Sequence, residues 1–216
     1  MATWITHLRI GENLLNNKLS KTEFIVGNIG PDSGVPNEDY SAFSPPSKVT
    51  HWRDSEGKVD SEGFYNKYLK DNNRNENKKY SFYLGYYVHL LTDTLWSEFH
   101  REIKFERGYE EKLKNDPNFI WTIKHDWYGI DYLYLEKNPQ SIFFKCFCKA
   151  GDIEDYLDYF PKGAFDKSIN RITEYYLGEN NETKGNFVYL TEDEMNKLVN
   201  IATENIRNVL IGKKLI

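Results

Sequence analysis

The chain has 216 residues, a length that suits one domain with a sizeable core. Its formal net charge of -5 gives no electrostatic reason to expect binding to long nucleic acids or anionic membranes. No apolar run approaches the ~20 residues of a membrane span, so a transmembrane segment is not expected. A phosphoester substrate is not excluded, because bound metal ions supply positive charge that the net charge of a chain does not include.

The first residues lack the features of a secretory signal. Residues 1–15 contain no early cluster of Lys or Arg, no apolar core and no small-residue cleavage site. The two cysteines, Cys146 and Cys148, are separated by one residue, and such neighbours rarely form a disulfide. Two cysteines are also too few for a Cys-rich zinc site. A cytoplasmic protein with reduced thiols is therefore expected.

The first predicted element is an amphipathic helix over about residues 4–19, with Thr3 or Thr6 as its cap. A short apolar stretch at 24–29 follows and runs into Gly-Pro-Asp. Because Pro and Gly end regular structure, Asp32 is expected on a turn.

Residues 30–60 contain most of the prolines and several glycines, which predicts a long irregular loop. Loops of this length are usually functional or disordered. Aromatic residues in and just after this segment indicate that it packs against the rest of the protein: Tyr40, Phe43, Trp52 and Phe64.

From residue 61 onward the pattern is mainly helical. The longest periodic run extends from Tyr80 to about Glu106, and the last helix begins at a capping box formed by Thr191 and Glu194. That last helix is predicted at 191–211, and the other helices at 61–70, 109–114, 118–136, 151–159 and 163–177. The prediction is a single all-α domain over residues 1–216, a multi-helix bundle.

Three segments are less regular. The FFKCFC run at 143–148 alternates as a strand does, and it fits a buried helix equally well. The polar stretches at 71–79 and 178–186 are predicted to be a solvated break and a surface loop.

The sequence YLGYYVHLLTDTLW places His89 and Asp93 four residues apart on a strongly helical segment. At about 100° per residue their side chains share one face, where an imidazole and a carboxylate can bind a single ion. The alternative is an ordinary surface ion pair. The helix is apolar on nearly all sides, however, and burying an uncompensated Asp is costly, so a metal is the favoured explanation. Gly85, one turn earlier, leaves room for another element to approach closely.

Asp32 and His51 are weaker candidates when each is taken alone. An Asp after Pro is usually a turn former or a helix cap. A loop His beside Trp, as in SKVTHW, is more often a packed or surface residue than a ligand.

Four sequence pieces occur in an informative order: THLRI at 6–10, FIVGNIGPD at 24–32, VTHW at 49–52 followed by Asp-x-x-Gly, and FYLGYYVHLLTD at 82–93. In this order they resemble the zinc-dependent phospholipase C family, whose relatives include the single-strand-specific zinc nucleases. The resemblance covers roughly the first half of the chain and is greatest to the shorter, cytoplasmic bacterial-type members. It implies an all-helical fold, which agrees with the periodicity.

The resemblance implies that Asp32, His51, His89 and Asp93 bind one zinc ion together. It also implies that Asp93 bridges to a second zinc, which His7 helps to hold. Without the resemblance, His7 would be interpreted as a satisfied interfacial histidine. In the family, the counterpart of Asp32 is suggested to orient or deprotonate the attacking water, which makes Asp32 the catalytic candidate.

Two features depart from the family pattern. Secreted members bind a metal through an N-terminal Trp, whereas Trp4 is internal here, so the second metal lacks those ligands. A third zinc needs two more histidines and a Glu. His100 lies seven residues after Asp93, ~10 Å along the helix axis, too far to share an ion with His89.

The remaining candidates for that third site lie in HDWYGIDY at 125–132. Asp126 or Asp131 is the expected carboxylate ligand, although on an ideal helix they point about 140° apart. His125 is either a further ligand or an exposed residue.

The function implied by the resemblance is metal-assisted hydrolysis of a phosphoester, in the manner of a phospholipase C-like phosphodiesterase. One to three zinc ions are expected, and the mixed His and carboxylate set would also suit manganese or iron. The expected substrate is a small phosphoester or a phospholipid, not a long nucleic acid. The aromatics Tyr40, Phe43 and Trp52 either line the entrance to the site or belong to the core.

Two other functions stay open at this point. In the first, a single zinc ion with four protein ligands is structural and holds the long loop against the helices without catalysis. In the second, the chain is a metal-free helical scaffold for protein interaction. The sequence does not indicate the oligomeric state.

Overall fold

The computed structural model describes residues 1–71, 77–178 and 185–216. Within them the chain is built from α-helices, with a single pair of two-residue strands, which confirms the all-α prediction. The helices are α1 Trp4–Leu14, α2 Lys21–Gly27, α3 Ser47–Thr50, α4 Ser61–Tyr68, α5 Asn77–Glu106, α6 Tyr109–Asn115, α7 Phe119–Lys137, α8 Ile142–Lys145, α9 Ala164–Leu177 and α10 Glu192–Gly212.

The long helix α5 is the central element of the fold. It is buried on all sides from Tyr80 to Leu90, which agrees with its nearly continuous apolar sequence. Helices α2 and α5 pack against each other along their length, and α1, α4 and α10 also contact α5. The largest apolar cluster of the core lies among these helices and α9. No helix of the described residues is both long and apolar enough to cross a membrane.

The segment at 30–60 consists of short elements. It contains a 3-10 turn at Gly30–Asp32, strands β1 Val35–Pro36 and β2 Phe43–Ser44, and α3. The strands are antiparallel, with Val35 opposite Ser44. The expected packing is confirmed for Trp52, whose ring meets Phe64 edge to face with centroids 5.5 Å apart. The expectation that Tyr40 packs against the protein is wrong, because this residue is 63% exposed.

The helix ends agree with the capping signals. Thr3, not Thr6, caps α1, and its hydroxyl accepts a hydrogen bond from the Thr6 amide. Thr191 and Glu194 form the predicted capping box of α10. The first helix ends at Leu14 and not near Leu19. Beyond it the side chain of Asn16 accepts a hydrogen bond from the Lys18 amide, which forms a turn instead of a further helical turn.

The prediction of a helix at 151–159 is wrong. No helix forms there: the Asp166 side chain accepts a hydrogen bond from the Ile153 amide, and the Asp155 side chain instead bonds the Gly163 amide at the start of α9. Asp152 also has a positive φ of 55°, outside the helical region. The FFKCFC run is helical: α8 and a 3-10 turn at Phe147–Lys149.

The two polar stretches fall partly outside the described residues. Within the predicted break at 71–79, residues 72–76 are not among those that the structure describes. Within the predicted surface loop at 178–186, the same is true of residues 179–184.

Candidate metal centre

Five side chains that were expected to bind metal meet in the interior of the protein. His7 comes from α1, Asp32 from the 3-10 turn, His51 from the residue after α3, and His89 and Asp93 from α5. The three histidines and Asp93 are buried, while 11% of the Asp32 side chain is exposed.

Close packing of α2 on α5 positions the first of these elements. A Cβ atom added at Gly85 would lie 2.8 Å from the Asn28 amide nitrogen and closer still to the Phe24 main-chain oxygen. Gly85 therefore permits the close approach that the sequence predicted. The approach brings the main chain of Asn28 against the ring of His89 one turn further along α5.

A compact group of ligand atoms surrounds the Nε2 atom of His51. Asp32 Oδ1 lies 3.2 Å from it, His89 Nε2 3.4 Å and Asp93 Oδ2 3.6 Å. The last two atoms are 3.7 Å from each other. Zinc bonds of about 2.0–2.1 Å in a tetrahedral arrangement separate neighbouring ligand atoms by about 3.3 Å. The separations measured here are therefore close to those between zinc ligands, and Asp32, His51 and His89 each offer an atom within 4.8 Å of the other two.

Hydrogen bonds to main-chain carbonyls orient both imidazoles. His89 Nδ1 lies 2.9 Å from the oxygen of Asn28, and His51 Nδ1 lies 3.2 Å from the oxygen of Ser47. A carbonyl only accepts, so Nδ1 of His89 carries the hydrogen and its neutral ring has a lone pair on Nε2. His51 Nδ1 also faces the hydroxyls of Thr50 at 3.0 Å and Ser47 at 3.2 Å, which hold its ring in place as well. This is the usual outer-shell arrangement of a histidine that binds a metal.

The centre therefore gathers two imidazole nitrogens and two carboxylate oxygens in a small buried volume. Acceptors that face each other in a buried site are unfavourable unless a cation or a donor lies between them. Asp93 Oδ2 is buried and has no hydrogen-bond partner among the described residues. The donor set and its unsatisfied oxygen both fit a bound zinc ion.

The protonation states also agree with metal binding. For Asp32, burial acts to raise the pKa, but the hydrogen bond to His51 and the nearby imidazoles outweigh it and lower the pKa to about 2. For Asp93, burial is likewise outweighed, by His7 and His89, and the pKa lies well below its usual range. Burial, aided by His7, lowers the pKa of His89 to about 3. At neutral pH these groups are thus in their metal-binding forms.

The two oxygens of Asp93 face different sides. Oδ2 faces His51 and His89, whereas Oδ1 lies 3.5 Å from His7 Nε2 and accepts a hydrogen bond from the Ala2 amide at 3.0 Å. The ring of His7 stacks on His89, with centroids 3.6 Å apart, and neither of its nitrogens has a hydrogen-bond partner among the described residues. This geometry fits a carboxylate that bridges to a second ion beside His7.

A cavity of about 360 Å³ opens beside Asp32 and His51. This volume lies within the range of small-molecule sites. Of the aromatics expected at an entrance, Phe43 lines this cavity, while Trp52 belongs to the core. Most of the other lining side chains are apolar or aromatic, and they include Met1, Trp4, Pro31, Pro45, Trp127 and Tyr128.

Two supporting residues were missed in the sequence. Asn28 orients His89 through its carbonyl, and its side chain donates to the main-chain oxygen of His7 at 3.1 Å. Arg171 in α9 donates to the main-chain oxygens of Asp32 at 2.9 Å and Gly34 at 3.2 Å. Asn28 lies inside the FIVGNIGPD motif, which was a usable signal. Nothing in the local sequence connects Arg171 to a turn so far away along the chain.

The carboxylates expected at a third metal site form hydrogen bonds instead. Asp131 accepts from Thr3 Oγ1 at 2.7 Å and from the Tyr176 hydroxyl at 2.6 Å. Asp126 accepts from the Tyr189 amide at 2.6 Å. Among the described residues, neither belongs to a group of three metal-ligating side chains. We therefore assign hydrogen-bonding roles to Asp126 and Asp131.

The two remaining histidines also lie apart from such groups in the described parts of the chain. His100 is buried and stacks on Trp96 with ring centroids 5.0 Å apart. Burial, aided by the charge of Lys104, lowers its pKa to about 3, so that it is neutral. His125 has an exposed side chain, 3.9 Å from Asp126.

The fold and these contacts define an all-helical protein with a buried centre of histidine and aspartate ligands. A family model for zinc-dependent phospholipase C matches residues 6–182, a range that includes all five ligand side chains. The chain therefore belongs to the zinc-dependent phospholipase C family. No curated protein and no solved structure matches it significantly.

Proposed function

We propose that this protein is a zinc-dependent hydrolase of phosphoesters, a phospholipase C-like phosphodiesterase whose substrate is a small phosphoester or a phospholipid. Asp32, His51, His89 and Asp93 would hold one zinc ion, and Asp93 and His7 would help to hold a second. The observation that supports this proposal best is that three ligand atoms, from Asp32, His89 and Asp93, lie 3.2–3.6 Å from His51 Nε2, beside a cavity of substrate size.

The chemistry follows from the site. When bound, zinc acidifies water at neutral pH and neutralises negative charge on phosphoryl oxygens. Asp32 is the one carboxylate of the centre that both lines the cavity and remains partly exposed. Because its pKa is about 2, it stays ionised and can accept a hydrogen bond from the attacking water, which it thereby orients.

The other residues of the centre hold this arrangement. Contacts to the Nδ1 atoms, from the Asn28 carbonyl to His89 and from Ser47 to His51, keep both Nε2 atoms directed at the centre. Arg171 holds the main chain at Asp32 and thus the orientation of the turn. The apolar walls of the cavity would exclude bulk water from the reacting group.

A structural zinc site without catalysis is the second candidate. The observation that favours it is the number of protein ligand atoms, because four ligands fill a tetrahedral site and leave no position for water. The exposure of Asp32 to the cavity favours the catalytic candidate, since that ligand can give way to water or substrate.

Elemental mass spectrometry of protein purified without chelator, together with hydrolysis of bis(p-nitrophenyl) phosphate, separates the candidates. We expect one or two zinc ions per chain and measurable turnover. The variant His89→Ala should lose most of the zinc and the activity, and Asp32→Asn should lose activity while keeping at least one ion. His125→Ala is the matched control, because His125 lies outside the centre.

Zinc without turnover of any phosphoester, with poorly folded His89→Ala protein, would favour the structural candidate. A protein without metal, as stable as its His89→Ala variant, would contradict the proposal.

A further inference from the structure

We propose that the cavity beside the metal centre selects phosphoesters whose headgroup carries a negative charge, and that Lys124 is the residue that determines this specificity. The inference rests on the proposed hydrolysis of phosphoesters and names the class of substrate. The headgroup is here the alcohol portion esterified to the scissile phosphate on the side of Lys124.

Lys124 forms no ion pair with another residue that the structure describes. It lies on α7 and lines the same cavity as Asp32 and His51, and its ammonium group is 4.9 Å from the ring centroid of Trp121. Other lysines of the described chain do form ion pairs, for example Lys58, Lys78, Lys137 and Lys213. An unpaired ammonium at a cavity that also holds the metal centre is available for an anionic group of the substrate.

The aromatic walls do not form a cage for a quaternary amine. A cation of that kind needs free ring faces and no competing positive charge. The Arg171 guanidinium already lies over two of the walls, with its central carbon 6.0 Å from the Trp4 ring centroid and 5.7 Å from that of Phe43. Positive charge therefore lies behind one side of the cavity as well as at Lys124.

Negative charge in the walls is restricted to the metal centre. Among the described residues that line the cavity, Asp32 is the one with a carboxylate, and the metal ion would neutralise it. The cavity thus combines Lys124 with Arg171 behind the wall, and it has no free acid to attract an amine. Like-charge repulsion disfavours a cationic headgroup, and Lys124 favours an anionic one.

The test compares ligands that differ by one carboxylate. O-phosphoserine and O-phosphoethanolamine share the phosphate and the amine, and phosphocholine is the cationic extreme. Titration calorimetry on the zinc-loaded protein should show that phosphoserine binds at least ~10-fold more tightly than phosphoethanolamine, as a charge-assisted contact predicts. As substrates, short-chain phosphatidylserine should have a higher kcat/KM than short-chain phosphatidylethanolamine.

The variants assign the preference to one side chain. Lys124→Ala should remove the preference, Lys124→Arg should keep it, and Lys124→Glu should reverse it in favour of phosphocholine. Lys149→Ala, at an exposed lysine that does not line the cavity, should leave it unchanged.

Equal or tighter binding of phosphoethanolamine or phosphocholine by the parent protein would overturn the inference, and so would no binding of any of the three. A preference that survives in Lys124→Ala would overturn the role of Lys124. Charge-selective binding without turnover of any lipid would support the selection while removing the proposed hydrolysis, so the two failures are distinguishable.

Discussion

The Nε2 atoms of His51 and His89 lie 3.4 Å apart, and the Nδ1 atom of each ring faces a main-chain carbonyl. The Asn28 carbonyl requires a hydrogen on His89 Nδ1, so the Nε2 lone pair of His89 points at the same small volume that His51 Nε2 faces. Two carboxylates, Asp32 and Asp93, face that volume as well. The protein thus keeps acceptors opposed to one another, at a cost in stability that a bound cation removes.

Removal of zinc should therefore destabilise the protein measurably. Binding to the native state alone contributes RT ln(1 + [L]/Kd), about 4 kcal/mol at a thousandfold excess over Kd. We expect chelation to lower Tm by several degrees, and added zinc to restore it. In His89→Gln, whose side chain cannot reproduce the imidazole ligand, Tm should respond little to chelator. Equal responses of the parent and this variant, measured by scanning calorimetry, would contradict zinc binding at this centre.

Gly85→Ala should destabilise both the fold and the metal centre. The added methyl group would meet the main chain of Phe24 and Asn28 on α2, and main-chain atoms cannot move aside as a flexible side chain can. We expect a loss of about 1–3 kcal/mol in the free energy of unfolding, measured with urea. Zinc affinity should fall too, because the Asn28 carbonyl that orients His89 would shift.

Gly212→Ala is the matched control for this change. A Cβ atom there meets nothing within 4 Å, and the position ends α10. Gly→Ala raises helix propensity, so Gly212→Ala should not destabilise the protein, and an equal loss of stability in both variants would contradict the close-packing explanation.

The parts of the structure that the sequence predicted well depend on local periodicity or on a motif. His89 and Asp93 follow from helical spacing within an apolar helix, and Gly85 from its place one turn earlier. Asp32 and His51 are weak candidates by themselves, since their meeting with α5 depends on tertiary packing. The order of the four motifs marked Asp32 and His51 as candidate ligands, whereas the local sequence around each residue did not.

The failures concern side-chain partners that are distant in sequence. Asp131 has metal-ligand chemistry, but Thr3 and Tyr176 occupy its two oxygens, and no local pattern connects those residues. The segment 151–159 has the composition of a helix, yet side-chain bonds from Asp155 and Asp166 keep it irregular. Lys124 was missed because one lysine on an amphipathic helix is normally a solvated surface residue.

His100 should make the protein sensitive to acid. Burial, with the charge of Lys104, lowers its pKa from 6.5 to about 3 in the folded protein. The native state therefore binds fewer protons than the unfolded state below pH 6.5, and stability is lost as the pH falls from about 6.5 towards 3. The loss amounts to at most about 1.4 kcal/mol per pH unit.

The variant His100→Phe keeps the aromatic stack on Trp96 and cannot titrate. Its free energy of unfolding should decline less steeply than that of the parent over this range, when both are measured at a fixed zinc concentration. Parallel curves for the two proteins would mean that His100 is not the group responsible.

Asp131 should have the opposite effect on pH dependence. Burial raises its pKa from 3.8 to about 7, against the hydrogen bonds from Tyr176 and Thr3 and the charge of Arg9. A raised pKa means that the folded state keeps a proton that the unfolded state releases. The stabilising contribution is complete below pH ~4 and is lost as the pH rises to about 7, by up to about 1.4 kcal/mol per unit.

Asp131→Asn removes this titration and retains an amide that can bond to both hydroxyls. The difference in unfolding free energy between parent and variant should therefore shift in favour of the variant from pH 4 to 7 and change little above pH 7. Zinc content should be unchanged, because Asp131 lies outside the metal centre in the described structure. Loss of zinc in Asp131→Asn would instead restore this carboxylate as a metal ligand and contradict the hydrogen-bonding role assigned to it.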